Sequence, residues 1–167
     1  MIHIYCGDGK GKTTSATGLA VRSAGAGMKV YFARLMKGNF SSELKILESV
    51  PEITVRSCDR NYGFYKSMSQ SDKAMITECH NKMLSDAFAS GADVIILDEF
   101  FSAYNYALLD TVLADSLIMN NNPDTELVLT GRNPSGIFMD IADYISEIKA
   151  VRHPYSRGIK ARRGIEY

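Results

Sequence analysis

The stretch Gly7-Asp8-Gly9-Lys10-Gly11-Lys12-Thr13-Thr14 lies between a short apolar run at 2–6 and a segment of helical periodicity over 14–26. A glycine-rich loop between a predicted strand and a predicted helix is the setting that a phosphate cradle requires. Its small residues let successive backbone N–H groups curl round phosphate oxygens at a helix N-terminus. Lys12 adds a point charge, and Thr13 offers a hydroxyl to magnesium. The strict pattern G-x-x-x-x-G-K-[ST] asks for glycine at position 6, where this chain has Cys6. The match is therefore to a variant whose first glycine falls one place later. Gly7, Asp8, Gly9, Lys10, Gly11, Lys12, Thr13 and Thr14 are the expected contacts of an ATP-type ligand.

Outward from this loop, β-rich apolar runs recur at 2–6, 28–35, 53–58, 92–97, 126–130 and 144–151, separated mostly by longer stretches of helical period. The first helix, 14–26, is closed by Gly27; the middle one, 69–90, opens on a Ser/Asp-rich cap and stops at Gly91. Asn133-Pro134-Ser135 reads as a further helix start. Val94-Ile95-Ile96-Leu97 is apolar without alternation, as in a strand buried on both faces of a parallel sheet. Asp98 and Glu99 follow at its carboxyl edge, where a hard cation bridging phosphates would find carboxylates near the Thr13 hydroxyl. The metal expectation is thus Mg2+ on Thr13, Asp98 and Glu99. The alternation predicts an α/β fold, a three-layer P-loop domain of RecA-like build with a mostly parallel central sheet, spanning 1–167 as one domain.

Composition narrows the partners. Nineteen basic and nineteen acidic residues cancel, so no net field favours nucleic acid or an anionic membrane. No apolar run approaches the length of a membrane span, and the first is too short for a signal peptide, which predicts a cytoplasmic protein. Cys6, Cys58 and Cys79 are odd in number and far apart, fitting neither a disulfide framework nor a zinc pattern, and read as buried small hydrophobes in a reducing compartment. His3 and His80 have no partner spacing that suggests ligation or a triad, and structural roles are expected of both.

With these residues in place, the chain resembles the ATP:corrinoid adenosyltransferases across nearly its whole length. The family's Gly-x-Gly-Lys-Gly-Lys-Thr-Thr loop is reproduced at 7–14, including the displaced glycine. Thr17-Gly18-Leu19-Ala20-Val21-Arg22-Ser23-Ala24-Gly25, Leu97-Asp98-Glu99 and Val128-Leu129-Thr130-Gly131-Arg132 resemble successive family segments, and Ala142-Asp143 follows at the expected interval. The tail from His153-Pro154-Tyr155-Ser156-Arg157-Gly158 to Gly164-Ile165-Glu166-Tyr167 is similar to the family signature and is the most specific part, since a generic nucleotide-binding protein has no reason to end this way.

The resemblance implies that cobalt(I) of a reduced corrinoid attacks the ribose 5′-carbon of ATP and that intact triphosphate leaves. Lys12, Thr13 and Glu99 would then be the catalytic residues, stabilising the departing triphosphate with Mg2+, and no catalytic base is needed. Arg22 and Arg132 match family arginines that hold the nucleotide. His153 and Lys160, in a tail rich in cations, are expected near ATP or the corrin periphery. The family also implies a homodimer and an electron donor such as a flavoprotein. Family aromatics in a Gly-Phe-x-Trp pattern crowd the lower face of the corrin, whereas this chain has no tryptophan and offers Asn61-Tyr62-Gly63-Phe64-Tyr65-Lys66. Alignment on Gly63-Phe64 puts Lys66 at the tryptophan place; constant spacing from the P-loop puts Tyr62 and Phe64 at the aromatic places and is preferred. Tyr62, Phe64 and Tyr65 are the expected corrinoid contacts. Longer members carry a segment before the first strand, so any cap over the corrin is expected from elsewhere in this sequence. Two other readings stay open: a P-loop kinase or ATPase, which would release ADP, and a corrinoid carrier or nucleotide sensor without turnover.

Overall fold

The computed structural model describes residues 1–38, 41–63 and 65–166 of the chain. Six strands among them, β1 (Ile2–Cys6), β2 (Val30–Arg34), β3 (Ile53–Ser57), β4 (Val94–Asp98), β5 (Glu126–Thr130) and β6 (Tyr144–Glu147), form one sheet in the order β3-β2-β4-β5-β1-β6. Every pairing is parallel. The helices are α1 (Lys12–Gly25), α2 (Leu44–Leu47), α3 (Gln70–Ala89), α4 (Phe100–Asn105), α5 (Thr111–Met119) and α6 (Gly136–Ile141).

The period-two geometry of a strand sorts its side chains onto two faces. Val30 and Phe32 of β2 with Val94 and Ile96 of β4 pack against Ala16, Ala20 and Ala24 of α1 and Leu47 of α2. Tyr31, Ala33, Ile95 and Leu97 point the other way, onto Ile76, Met83, Leu84 and Ala87 of α3 and the Phe100, Phe101 and Phe138 group of α4 and α6. Both faces of β2 and β4 are thus buried, which is why these strands read as unbroken apolar runs and why the architecture has three layers. The chain runs from β1 to β2 and β3 in one direction, then returns through β4 and β5 to β6. Right-handed crossovers then place α1 and α2 on one face and the later helices on the other, leaving a crevice at the carboxyl ends of the strands.

The element ends have local causes. Gly11, at φ 126°, turns the chain so sharply that Lys12 and Thr13 are already helical, and α1 begins before the expected residue 14. Ser69 and Asp72 form a reciprocal capping box that starts α3. The expected strand 28–35 shortens because Lys29 is used in a clasp with Asp93, whose carboxylate accepts its N–H at 2.7 Å. β6 stops at Glu147: Ile148 N–H still donates to Cys6 O at 2.8 Å, but its carbonyl turns to the glycine loop and accepts from Gly9 N–H.

One expectation is overturned. Cys58, beyond the end of β3, and Cys79 of α3 form a disulfide across a sequence separation of 21. The spacing hid it, because the pairing of a residue just past β3 with one in the middle of α3 is set by tertiary packing. Cys6 is the free, buried thiol that was expected. Among the described residues no helix is long and apolar enough to cross a membrane.

Candidate functional site

The glycine loop connects β1 to α1 and is packed from behind by the chain leaving β6. Gly9 N–H donates to Ile148 O at 2.7 Å. A Cβ on Gly9 would meet that oxygen at 2.7 Å, and one on Gly7, which also has φ 100°, would meet it at 2.5 Å. Both positions must therefore be glycine, which accounts for the displaced first glycine of the motif: Cys6 is still a ladder residue, facing the core. Among the described residues no side chain caps α1, so its first N–H groups face the loop. Lys12 is buried and folds back on the loop, its ammonium donating to Gly7 O at 2.6 Å and Gly9 O at 2.8 Å. Burial lowers its pKa, and the Glu99 carboxylate opposes that shift. The arrangement presents a cation and a helix N-terminus to one point, as an anion site requires.

Beside it, the carboxyl ends of β4 and β5 and the first turn of α1 converge. Thr13 Oγ1 donates to Asp98 Oδ1 at 2.9 Å, and Thr130 Oγ1 donates to the same oxygen at 2.7 Å. Glu99 N–H donates in turn to Thr130 Oγ1 at 2.9 Å. Asp98 is fully buried, so its charge has to be met by such donors. Glu99 has a left-handed backbone, φ 59°, at the start of α4, and its Oε2 accepts from Ser102 Oγ at 2.7 Å. The Lys37 ammonium sits among these oxygens, 2.9 Å from Thr13 Oγ1, 2.9 Å from Asp98 Oδ2 and 3.7 Å from Glu99 Oε1. A cation is therefore already held by the hydroxyl and both carboxylates singled out in the sequence, and that set of hard oxygens can hold Mg2+.

Lys37 reaches this point because Met36 turns the chain with φ 60° just past β2. His80 of α3 fixes that turn: its Nε2 accepts from Met36 N–H at 3.1 Å while its Nδ1–H donates to Leu108 O at 2.6 Å. Burial pulls the His80 pKa down to about 4, so the ring is neutral and can accept. The structural role expected of His80 is thus that of a brace on the residue next to Lys37.

Loop and acidic cluster open on one cavity of about 1380 Å³. Lys10, Thr13, Thr14 and Glu99 line its near side, and Tyr65, Lys66 and Tyr106 its far side. Tyr65 and Tyr106 stack with centroids 4.3 Å apart and planes within 8°, with the Lys73 ammonium 4.3 Å from the Tyr65 ring centre. Gly164, Ile165 and Glu166 also line the cavity, so the tail reaches its wall. Hydrogen bonds from Arg162 hold the Glu166 carboxyl at about 2, with Lys10 a lesser contributor.

Several expected residues lie elsewhere. Tyr62 is half-buried against the core under Arg60 and does not line the cavity; Tyr65 and Lys66 do. Phe64 lies outside the described residues. Arg22 is exposed in the last turn of α1, about 15 Å along the helix axis from Lys12. Arg132 stands at the rim, pairing with Asp8 at 3.6 Å between two exposed side chains. His153 caps the 3-10 turn Pro154–Arg157 and Lys160 is exposed, neither on the cavity wall, which the tail reaches only at its end. Sequence reasoning passed over Lys37, Thr130 and Tyr106. A lysine just beyond a buried strand, like the Asp98 carboxylate at the end of β4, was a readable signal; Tyr106, at the end of a helix of six residues, carried none.

Comparison with known proteins agrees with this geometry. The family model described as ATP:corrinoid adenosyltransferase BtuR/CobO/CobP matches residues 1–167. The corrinoid adenosyltransferase of Escherichia coli strain K12 is 32% identical over 173 residues, covering 100% of this chain and 85% of the relative. Corrinoid adenosyltransferase CobA of Salmonella typhimurium is also 32% identical over 173 residues, with the same coverage, and the Pseudomonas aeruginosa enzyme is 31% identical over 98% of this chain and 82% of its own length. A glycine loop with its first glycine displaced, an acidic pair at the end of β4 and a whole-length match lead to one assignment: the chain belongs to the ATP:corrinoid adenosyltransferase family.

Proposed function

We propose that this protein transfers the 5′-deoxyadenosyl group of ATP to the cobalt(I) of a reduced corrinoid, releasing triphosphate. The observation that carries this reading is the single cavity joining the phosphate loop to the Tyr65–Tyr106 wall. At about 1380 Å³ it exceeds the roughly 300–1,000 Å³ usual for one small-molecule ligand, and so has room for a second, larger substrate beside ATP.

The N-terminus of α1 and Lys12 bind the triphosphate, Lys12 exchanging the Gly7 and Gly9 carbonyls for phosphate oxygens. Thr13, Asp98 and Glu99 would hold Mg2+, the hydrogen bond from the Thr13 hydroxyl to Asp98 keeping these oxygens together. When bound, Mg2+ supplies positive charge for the departing triphosphate. Arg132 closes on the nucleotide from the rim. The Tyr65–Tyr106 wall bounds the corrin, taking the place of the family's tryptophan, and the tail end shields the reacting atoms from water. Because alkyl transfer to cobalt(I) moves no proton, the reading asks for no general base.

We take the chain as one adenosyltransferase domain acting in the cytoplasm, with electrons delivered by a partner such as a flavoprotein. The exposed Tyr144 and Ile145 of β6 and the exposed Val151 and Tyr155 supply an apolar surface for a second copy in a homodimer. The test is anaerobic incubation with Mg2+, ATP and chemically reduced cob(I)alamin. Light-sensitive adenosylcobalamin formed one-for-one with triphosphate is the expected result; ADP without corrin alkylation would overturn it in favour of a P-loop phosphatase or kinase.

A further inference from the structure

The backbone on both sides of Lys37 is pinned, and its ammonium is held at the cluster only through contacts that another cation could replace. On one side His80 accepts from Met36 N–H at 3.1 Å; on the other Arg34 Nη1 donates to Gly38 O at 3.2 Å, from a guanidinium only 2% exposed. Leu35 N–H, one step earlier, is tied to Asp98 O at 3.0 Å. From this fixed base the flexible stem of Lys37, its side chain 31% exposed, carries the ammonium to the oxygens of Thr13, Asp98 and Glu99. The two carboxylates are adjacent and one of them is wholly buried, so the cluster needs a counter-cation in every state of the protein.

We infer that Lys37 is an exchangeable resident cation: it occupies the divalent-cation position in the nucleotide-free protein and yields it when the metal arrives with ATP. The displaced ammonium then swings onto the triphosphate. This assignment rests on the reading of the site as an ATP and Mg2+ site. The physical basis is exclusion, since an ammonium and a divalent cation cannot both stand within hydrogen-bond distance of Thr13 Oγ1 without strong repulsion. ATP brings the oxygens that make displacement favourable, because they accept the ammonium that the carboxylates release. Two consequences follow. Metal alone competes poorly for the site, and ATP gains a charged contact that depends on Lys37 even where no metal is present.

The probe is Mn2+, followed by the loss of its free electron paramagnetic resonance signal, on the full chain with and without ATP. Lys37→Met is expected to bind Mn2+ at least tenfold more tightly than the wild type in the nucleotide-free state, and to bind ATP in EDTA about tenfold more weakly. Lys37→Arg, which keeps the charge, is expected to retain the weak Mn2+ binding of the wild type. Thermal melting checks that each variant is folded, and Lys37→Gln carries the same expectation should Lys37→Met fail to fold. Nucleotide-free Lys37→Met no tighter for Mn2+ than the wild type, with Mn2+ still taken up when ATP is present, overturns the assignment and leaves the metal site standing. A wild type that takes up no Mn2+ even with ATP overturns the metal reading and this assignment together.

Discussion

The two ends of the cavity are built in different ways. At the phosphate end, the exits of β1, β2, β4 and β5 and the first turn of α1 deliver Lys12, Lys37, Asp98, Thr130 and Thr13 to one spot, Lys12 bonded to the glycine loop and the others to one another across elements. At the far end, the Tyr65–Tyr106 stack and residues 164–166 come from a short 3-10 turn, the end of a six-residue helix and the tail. The first end is specified by the sheet and tolerates little change. The second is specified by contacts between connecting segments and is where members of one family can differ in the substrate they accept.

That contrast can be broken at several points. Lys12→Ala should cost the most: losing one pre-placed charge on the departing triphosphate lowers adenosyl transfer about 100-fold or more, measured in single turnover with the folded state checked by circular dichroism. Next comes acid. Because the folded-state pKa of His80 lies at about 4, below its ordinary value of 6.5, the unfolded chain takes up a proton first as pH falls. His80 therefore stabilises the fold fully above pH 6.5, and about 3 kcal/mol is lost on descending towards pH 4. Urea titrations at several pH values should show that slope, and His80→Gln should flatten it.

Thr130→Val keeps the shape of β5 but strips Asp98 Oδ1 of one donor and leaves Glu99 N–H without its acceptor. The expected loss is about 1–3 kcal/mol in urea unfolding, with weaker MgATP binding by calorimetry. At the far end the effect should be smaller and confined to one substrate. Tyr106→Ala removes a stacking partner of Tyr65 and should raise the corrinoid KM by roughly two- to tenfold while leaving the KM for ATP within about twofold. Arg22→Ala sharpens the comparison from outside: exposed in the last turn of α1, it should change the KM for ATP by less than about twofold in an isolated chain. A larger change would mean that Arg22 reaches the site of a second copy.

Legibility followed the same division. The apolar run at 94–97 with Asp98 and Glu99 behind it placed β4 and its acidic edge, and the Gly7 to Thr14 loop placed the turn between β1 and α1, because a local pattern decides both. The register that brings Thr130 to Asp98 is non-local, though a polar residue ending an apolar strand hinted at it. Tyr62, given a corrinoid role by counting from the P-loop, packs inward instead, because a loop is not a rod along which spacing can be carried. The Cys58–Cys79 bridge was hidden for a related reason: 21 residues of separation say nothing about a pairing that tertiary packing sets.

The bridge also leaves the molecule convenient to label. With Cys58 and Cys79 joined, Cys6 is the one remaining thiol, buried in β1, and burial followed by the nearby Glu147 charge raises its pKa so that little thiolate forms. A thiol reagent should pass over the oxidised native protein. A single cysteine placed at Ile165, on the cavity wall, would then be its sole attachment point for a fluorophore, reporting any change around the tail as substrates bind.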